Sequence, residues 1–134
     1  MALSDPLVVC REILLSDAPT KALVDERVYA TPILPPDRRY PLIRLSHVGQ
    51  SEHAPVGFRQ AATATIQMDI WDHDQTVVAT VAETALDALH GVPVVAGALY
   101  IKPTFEAREI DETAQPPLHR YRADLSVRIV RADP

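Results

Sequence analysis

The sequence predicts an α+β domain in which a mainly antiparallel sheet of about four strands carries two main helices packed on one face. Three runs of residues carry that expectation. Thr63 to Trp71 alternates, with Ala64, Ile66, Met68 and Ile70 pointing one way and Thr63, Thr65, Gln67 and Asp69 the other, the pattern of a strand with one buried face. From Asp74 to Leu89 the apolar residues change to steps of three and four, through Val78, Val81, Ala82, Ala85, Leu86 and Leu89, so an amphipathic helix follows the strand directly. Tyr121, Ala123, Leu125, Val127 and Ile129 then form the inward side of a last strand, with Arg120, Arg122, Asp124 and Arg128 on its other side.

The remaining elements follow in chain order. Ser4, Asp5 and Pro6 open a first helix that reaches about Leu15, because an acidic or hydroxyl side chain suits the N-cap and proline suits the first turn. Leu7, Val8 or Cys10, Leu14 and Leu15 supply its apolar side. Asp17 to Thr20 restart a short helical turn through Leu23, and Val28 and Tyr29 form a brief extended piece. Pro32, Pro35, Pro36 and Pro41 make the next stretch a loop, since proline fixes φ and donates no ladder hydrogen bond. Leu42 to His47 is a strand with Ile43 and Leu45 on one face and Arg44 and Ser46 on the other. Residues 47 to 60 are polar and contain two glycines, so they read as a loop, or as a hairpin arm that orders against a partner. Gly91 stands at the C′ position of the main helix. Leu99 to Phe105 is a further strand, and Glu109 to Leu118 is the connection into the last one.

A chain of 134 residues with 47% hydrophobic and 23% charged residues fits one globular domain spanning 1–134. No stretch reaches the roughly 18 apolar residues that a bilayer-spanning helix needs, and the N-terminus lacks a basic start and cleavage site, so a cytoplasmic origin without membrane contact is expected. The single cysteine, Cys10, lies among apolar residues, which favours packing over catalysis. The net charge is −5, and residues 61–134 carry eleven acidic against six basic side chains, which disfavours nucleic acid as a partner.

Asp72, His73 and Asp74 are adjacent and of metal-ligating type, so a small metal-dependent hydrolase is one reading of the chain. Consecutive side chains leaving a strand diverge, however, and capping is the stronger reading. Asp72 with Gln75 forms a D-x-x-Q capping box, and Asp74 is the alternative N-cap. His47, His53, His90 and His119 show no metal-binding spacing, no G-x-S-x-G is present, and four glycines cannot build a phosphate-binding loop. No cofactor is expected. Arg38 and Arg39 with Tyr40, and Arg120 with Tyr121 and Arg122, mix basic and aromatic residues, but salt bridging to the acidic half accounts for them as well.

The phrases "DAPTKALVDERVYA", "YPLIRLSHVG", "ATIQMDIWDHD" and "VVATVAETALDALHG", in this order, resemble the tail terminator (tail completion) proteins of long-tailed bacteriophages. The likeness runs from about Leu7 to Arg131 and rests on short structural motifs. It implies a structural virion protein, assembled in the host cytoplasm into a ring of its own copies, usually a hexamer. Such a ring caps the tail tube protein, stops its polymerisation and meets the head–tail connector or stopper protein. Another neck component, such as a head-completion or stopper protein, shares the same size and acidity. The chain departs from the family in the longer, acidic "EIDETAQPPLHRY" and in the 47–60 segment. Candidate contacts to a neighbouring subunit or to the tube are therefore Arg38, Arg39, Glu52, His53, Phe58, Arg59, Trp71, Asp111 and Glu112.

Overall fold

The computed structural model describes residues 5–31, 33–56, 59–90 and 98–132, with the backbone alone at 49–56, 59–62, 98–100 and 129–132. Helix α1 (Pro6–Ser16) starts at Asp5, whose carboxylate accepts from the Leu7 N–H at 2.9 Å. Its buried side is Val9, Cys10, Ile13 and Leu14, with Leu7 and Leu15 packed at its margin, so of the two expected alternatives Cys10 faces the core and Val8 is exposed. Burial pushes the Cys10 thiol up to about 12, so it stays protonated and acts as a packing group. Asp17 serves both sides of a break: its N–H closes α1 on the Leu14 carbonyl, and its carboxylate accepts from the Thr20 N–H (3.1 Å) and hydroxyl (2.6 Å) to open α2 (Ala18–Val24).

A two-residue strand, β1 (Val28–Tyr29), pairs in parallel with the start of β2 (Leu42–Val56). Strand β3 (Arg59–Asp72) returns antiparallel to β2, helix α3 (Gln75–Leu89) follows, and β4 (Ala98–Asp111) and β5 (Leu118–Ala132) form a second long hairpin. The sheet order is β1-β2-β3-β5-β4. The architecture is α+β, with four long antiparallel strands, one short parallel edge piece, and helices α1 and α3 over one face.

The two-residue period of β3 sets the core. Ala64, Ile66, Met68 and Ile70 are all buried and meet Ile43 and Leu45 of β2, Ala123, Leu125 and Val127 of β5, and Val78, Val81, Ala85 and Leu89 of α3. Burial of each large aliphatic side chain contributes roughly 1.5–3 kcal/mol. Two connections prove to be strand. Residues 47–56 extend β2 along β3, from Gly49 opposite Thr65 to Val56 opposite Arg59 with register shifts at His47/Gly49 and His53/Val56, so of the two expected alternatives the hairpin arm holds, paired within the chain and not only against a partner. Glu109, Ile110 and Asp111 likewise belong to β4, and the turn is confined to 112–117.

Of the two proposed caps, Asp74 is the N-cap: its Oδ1 accepts from the N–H groups of Thr76 (2.8 Å) and Val77 (3.4 Å). Asp72 instead accepts from the Asp74 N–H at 2.7 Å, so no Asp72–Gln75 box forms. The α3 C-cap is His90, whose N–H donates to the Leu86 carbonyl, and Gly91 lies outside the described residues. Replacing Asp74 by Ala is expected to lower stability by about 1 kcal/mol in urea unfolding, and Asp72→Ala by less. An unchanged midpoint for Asp74→Ala would show that packing alone holds the start of α3.

Candidate functional site

Alternation along the strands gives the sheet a second face, on which no helix lies among the described residues. Across it, the register aligns Leu42, Trp71, Arg120 and Glu109 in one row, Arg44, Asp69, Arg122 and Ala107 in the next, and Ser46, Gln67, Asp124 and Phe105 in a third. Asp69 stands at the centre and is fully buried. An isolated carboxylate there would be costly, and four N–H donors offset that cost. Oδ1 accepts from Arg120 Nε (2.9 Å) and Nη2 (2.7 Å), and Oδ2 accepts from Gln67 Nε2 (2.9 Å) and Arg44 Nη2 (3.2 Å). Arg120 extends the network to β4 through Glu109, at 3.0 Å.

Trp71 lies between the two arginines, with their guanidinium carbons 4.9 Å (Arg44) and 5.5 Å (Arg120) from its ring. These stacks hold both cations over an aromatic face, an interaction of roughly 0.5–1 kcal/mol each. Arg122 in the next row stacks on Phe105 at 5.6 Å and reaches Asp124 at 3.4 Å. The result is a cross-braced, arginine-rich platform that presents planar groups to the outside. Its side chains are already held by partners, so a docking protein would order few of them.

The candidate residues do not gather at one place. Trp71 is on this second sheet face, near the sheet end where β3 exits and β4 ends. Arg38 and Arg39 are exposed in the preceding loop, where Arg38 donates to the Tyr40 hydroxyl (3.2 Å) and the Pro35 carbonyl (3.3 Å). Asp111 and Glu112 are exposed at the β4–β5 turn, where Asp111 accepts from the Thr113 hydroxyl (2.6 Å) and N–H (3.0 Å). Glu52, His53 and Arg59 are in the β2–β3 hairpin, about 30–40 Å of strand away from Trp71. Their side chains, and Phe58 altogether, lie outside the described residues.

Asp72, His73 and Asp74 separate as strand geometry requires. The aspartates serve backbone N–H groups, while His73 meets the Pro117 carbonyl at 3.2 Å through Nδ1 and the Tyr40 ring edge-on at 5.1 Å. No group of three metal-type ligands occurs among the described residues. The Arg120–Tyr121–Arg122 cluster dissolves too. Tyr121 points into the core side and donates to Glu106, and burial and that carboxylate push its phenol up. Beside it, a cleft of about 300 Å³ opens between the first turns of α3 (Gln75, Val78, Ala79) and the overhanging β4–β5 hairpin (Arg108, Ile110, His119).

No protein-family model matches the sequence, and no curated protein matches it. Among solved structures, the chain is similar to one from a structure described as "Virion of native gene transfer agent (GTA) particle". The TM-score is 0.69 at 17% sequence identity, over 94% of this chain and 95% of that one. The two chains share a fold along nearly their whole lengths.

Two outcomes test the site. Asp69→Ala is expected to cost about 3 kcal/mol, the lower end for a broken buried pair, because Arg44 and Arg120 keep a quarter of their side chains in solvent. A double-mutant cycle with Arg120→Ala measures the coupling. At the turn, the Thr113 hydroxyl and N–H, with help from the Ala114 N–H, hold the Asp111 carboxyl below its ordinary 3.8. That contribution to stability is present above the ordinary value and is lost as pH falls through the lowered one. NMR titration should find Asp111 below 3.8 in the wild type and closer to it in Thr113→Val.

Proposed function

We propose that the chain is a structural component of a virion of the tail-terminator type. Its copies form a ring, a hexamer in the simplest case, at the end of a tail tube; the ring ends tube growth and offers its other side to a head connector or stopper protein. The observation that carries this reading is the shared fold with a chain of a virion particle over 94% of the length. The phrases from Leu7 to Arg131 that resemble tail terminators support it independently.

The physical character of the molecule fits an assembly role. A helix-free sheet face braced by Asp69, Arg44 and Arg120 is a preformed surface, and Trp71 and the arginines are residue types enriched where proteins meet. The interface candidates then divide between two partners. Trp71, Arg38, Arg39, Asp111 and Glu112 belong to one end of the sheet, and Glu52, His53 and Arg59 to the hairpin at the other. A ring with a tube on one side and a connector on the other needs two such ends.

Native mass spectrometry and electron microscopy of the purified protein, alone and with tail tubes, test the proposal. Rings of fixed copy number that bind tube tips are expected. Attachment to connectors but never to tubes would indicate a different neck component. A monomer that joins neither rings nor tubes at any concentration would overturn the assembly reading.

A further inference from the structure

The proposed ring leaves open which surfaces join neighbouring copies, and the topology contains a complementary pair. The sheet ends on one side in β4, whose fourteen residues pair only with β5 among the described residues. On the other side it ends in β2, which β1 covers only at Ile43 and Arg44. Beyond Arg44, no further strand of the sheet lies along β2 on that side among the described residues. Both edges therefore present backbone N–H and C=O groups that a further strand can satisfy.

Their directions match. β2 is antiparallel to β3, β3 to β5, and β5 to β4, so β2 and β4 run in opposite directions. Copies related by rotation about an axis along the strands keep those directions. The β4 edge of one copy would thus meet the β2 edge of the next as an antiparallel pair. An even number of long strands between the edges is what makes this possible.

The levels match as well. Phe105 is in register with Asp124, Asp124 with Gln67, and Gln67 with Ser46, two residues before Val48. Phe105 and Val48 are both large apolar side chains about half exposed, at 50% and 56%. They sit on opposite edges at nearly one height across the sheet, so pairing without a large axial shift would bury each against the neighbouring copy. Pro103 and the register shifts at Pro103/Phe105 and His47/Gly49 interrupt both edges. Such interruptions discourage indiscriminate strand addition and leave specificity to side chains such as these.

We infer that copies of this chain associate head to tail by antiparallel pairing of β4 with the β2 edge of the next copy, with Phe105 packed near Val48. The contact is heterologous, the type that closes rings. The inference rests on the proposed self-assembly, and its test separates the two.

Native mass spectrometry would compare the wild type, Phe105→Glu, Val48→Lys and an equimolar mixture of the two variants, with circular dichroism confirming that each is folded. Phe105→Ser and Val48→Ser replace any variant that is not. Each variant alone should lose association at least tenfold. In the mixture, the intact β4 of Val48→Lys meets the intact β2 edge of Phe105→Glu, and the introduced carboxylate and ammonium face each other at the second contact, so dimers and larger assemblies should return. Two variants that assemble as the wild type does would overturn the edge pairing and leave self-assembly standing. Loss only in Phe105→Glu would mean a symmetric β4–β4 contact instead, whereas a mixture without dimers would overturn the edge pairing. A wild type that remains monomeric at every concentration would remove both readings.

Discussion

The two-residue period of β3 is the constraint on which the rest of the molecule depends. This strand lies between β2 and β5 at the middle of the sheet, so each of its side chains faces neighbours from both sides. Its even-numbered members, Ala64 to Ile70, make the floor on which α1 and α3 rest. Its odd-numbered members, Gln67, Asp69 and Trp71, organise the opposite face. A slip of one residue would place Asp69 under the helices and Ile70 among the arginines, so the core fixes the register of the polar face.

The polar face returns the constraint. Asp69 binds Arg44 from β2 and Arg120 from β5, and Arg120 binds Glu109 from β4, so one carboxylate ties all four long strands in a single alignment. Buried ion pairs of this kind contribute less to stability than their short distances suggest, because desolvation opposes the Coulomb term. Their geometric demand is strict nevertheless, and a misaligned strand would leave a buried charge unmatched. The helices hold the sheet together; the arginine network holds it in register and keeps its outer side chains in place.

The long strands also project beyond the helices. In β4, Glu106, Arg108 and Ile110 lie on the helix side by register yet remain exposed, since α3 does not extend over them. An overhanging hairpin with a cleft under it and, among the described residues, two incompletely paired edges shape the periphery of the sheet.

The local elements were legible because their causes are local. Apolar spacing identified α3 and the buried halves of β2, β3 and β5, and Asp74 and Asp17 mark helix starts through contacts two or three residues away. Residues 47 to 60 read as a loop or as a hairpin arm, and their polar sequence did not decide between the two, because it lacks alternation and the ladder at 49–56 is made by backbone groups that every residue carries. The same holds for Glu106 to Asp111, whose charged side chains resemble a loop while the backbone pairs with β5. Asp69 read as an ordinary outward residue of an alternating strand. Its burial is decided by Arg44 and Arg120, which lie 25 and 51 residues away. Sequence alone therefore determined which faces are apolar and where helices begin, since those depend on neighbours within a turn. Only the tertiary structure decided which strands are adjacent, which charges meet and which edges stay open, since those depend on contacts that a local pattern does not encode.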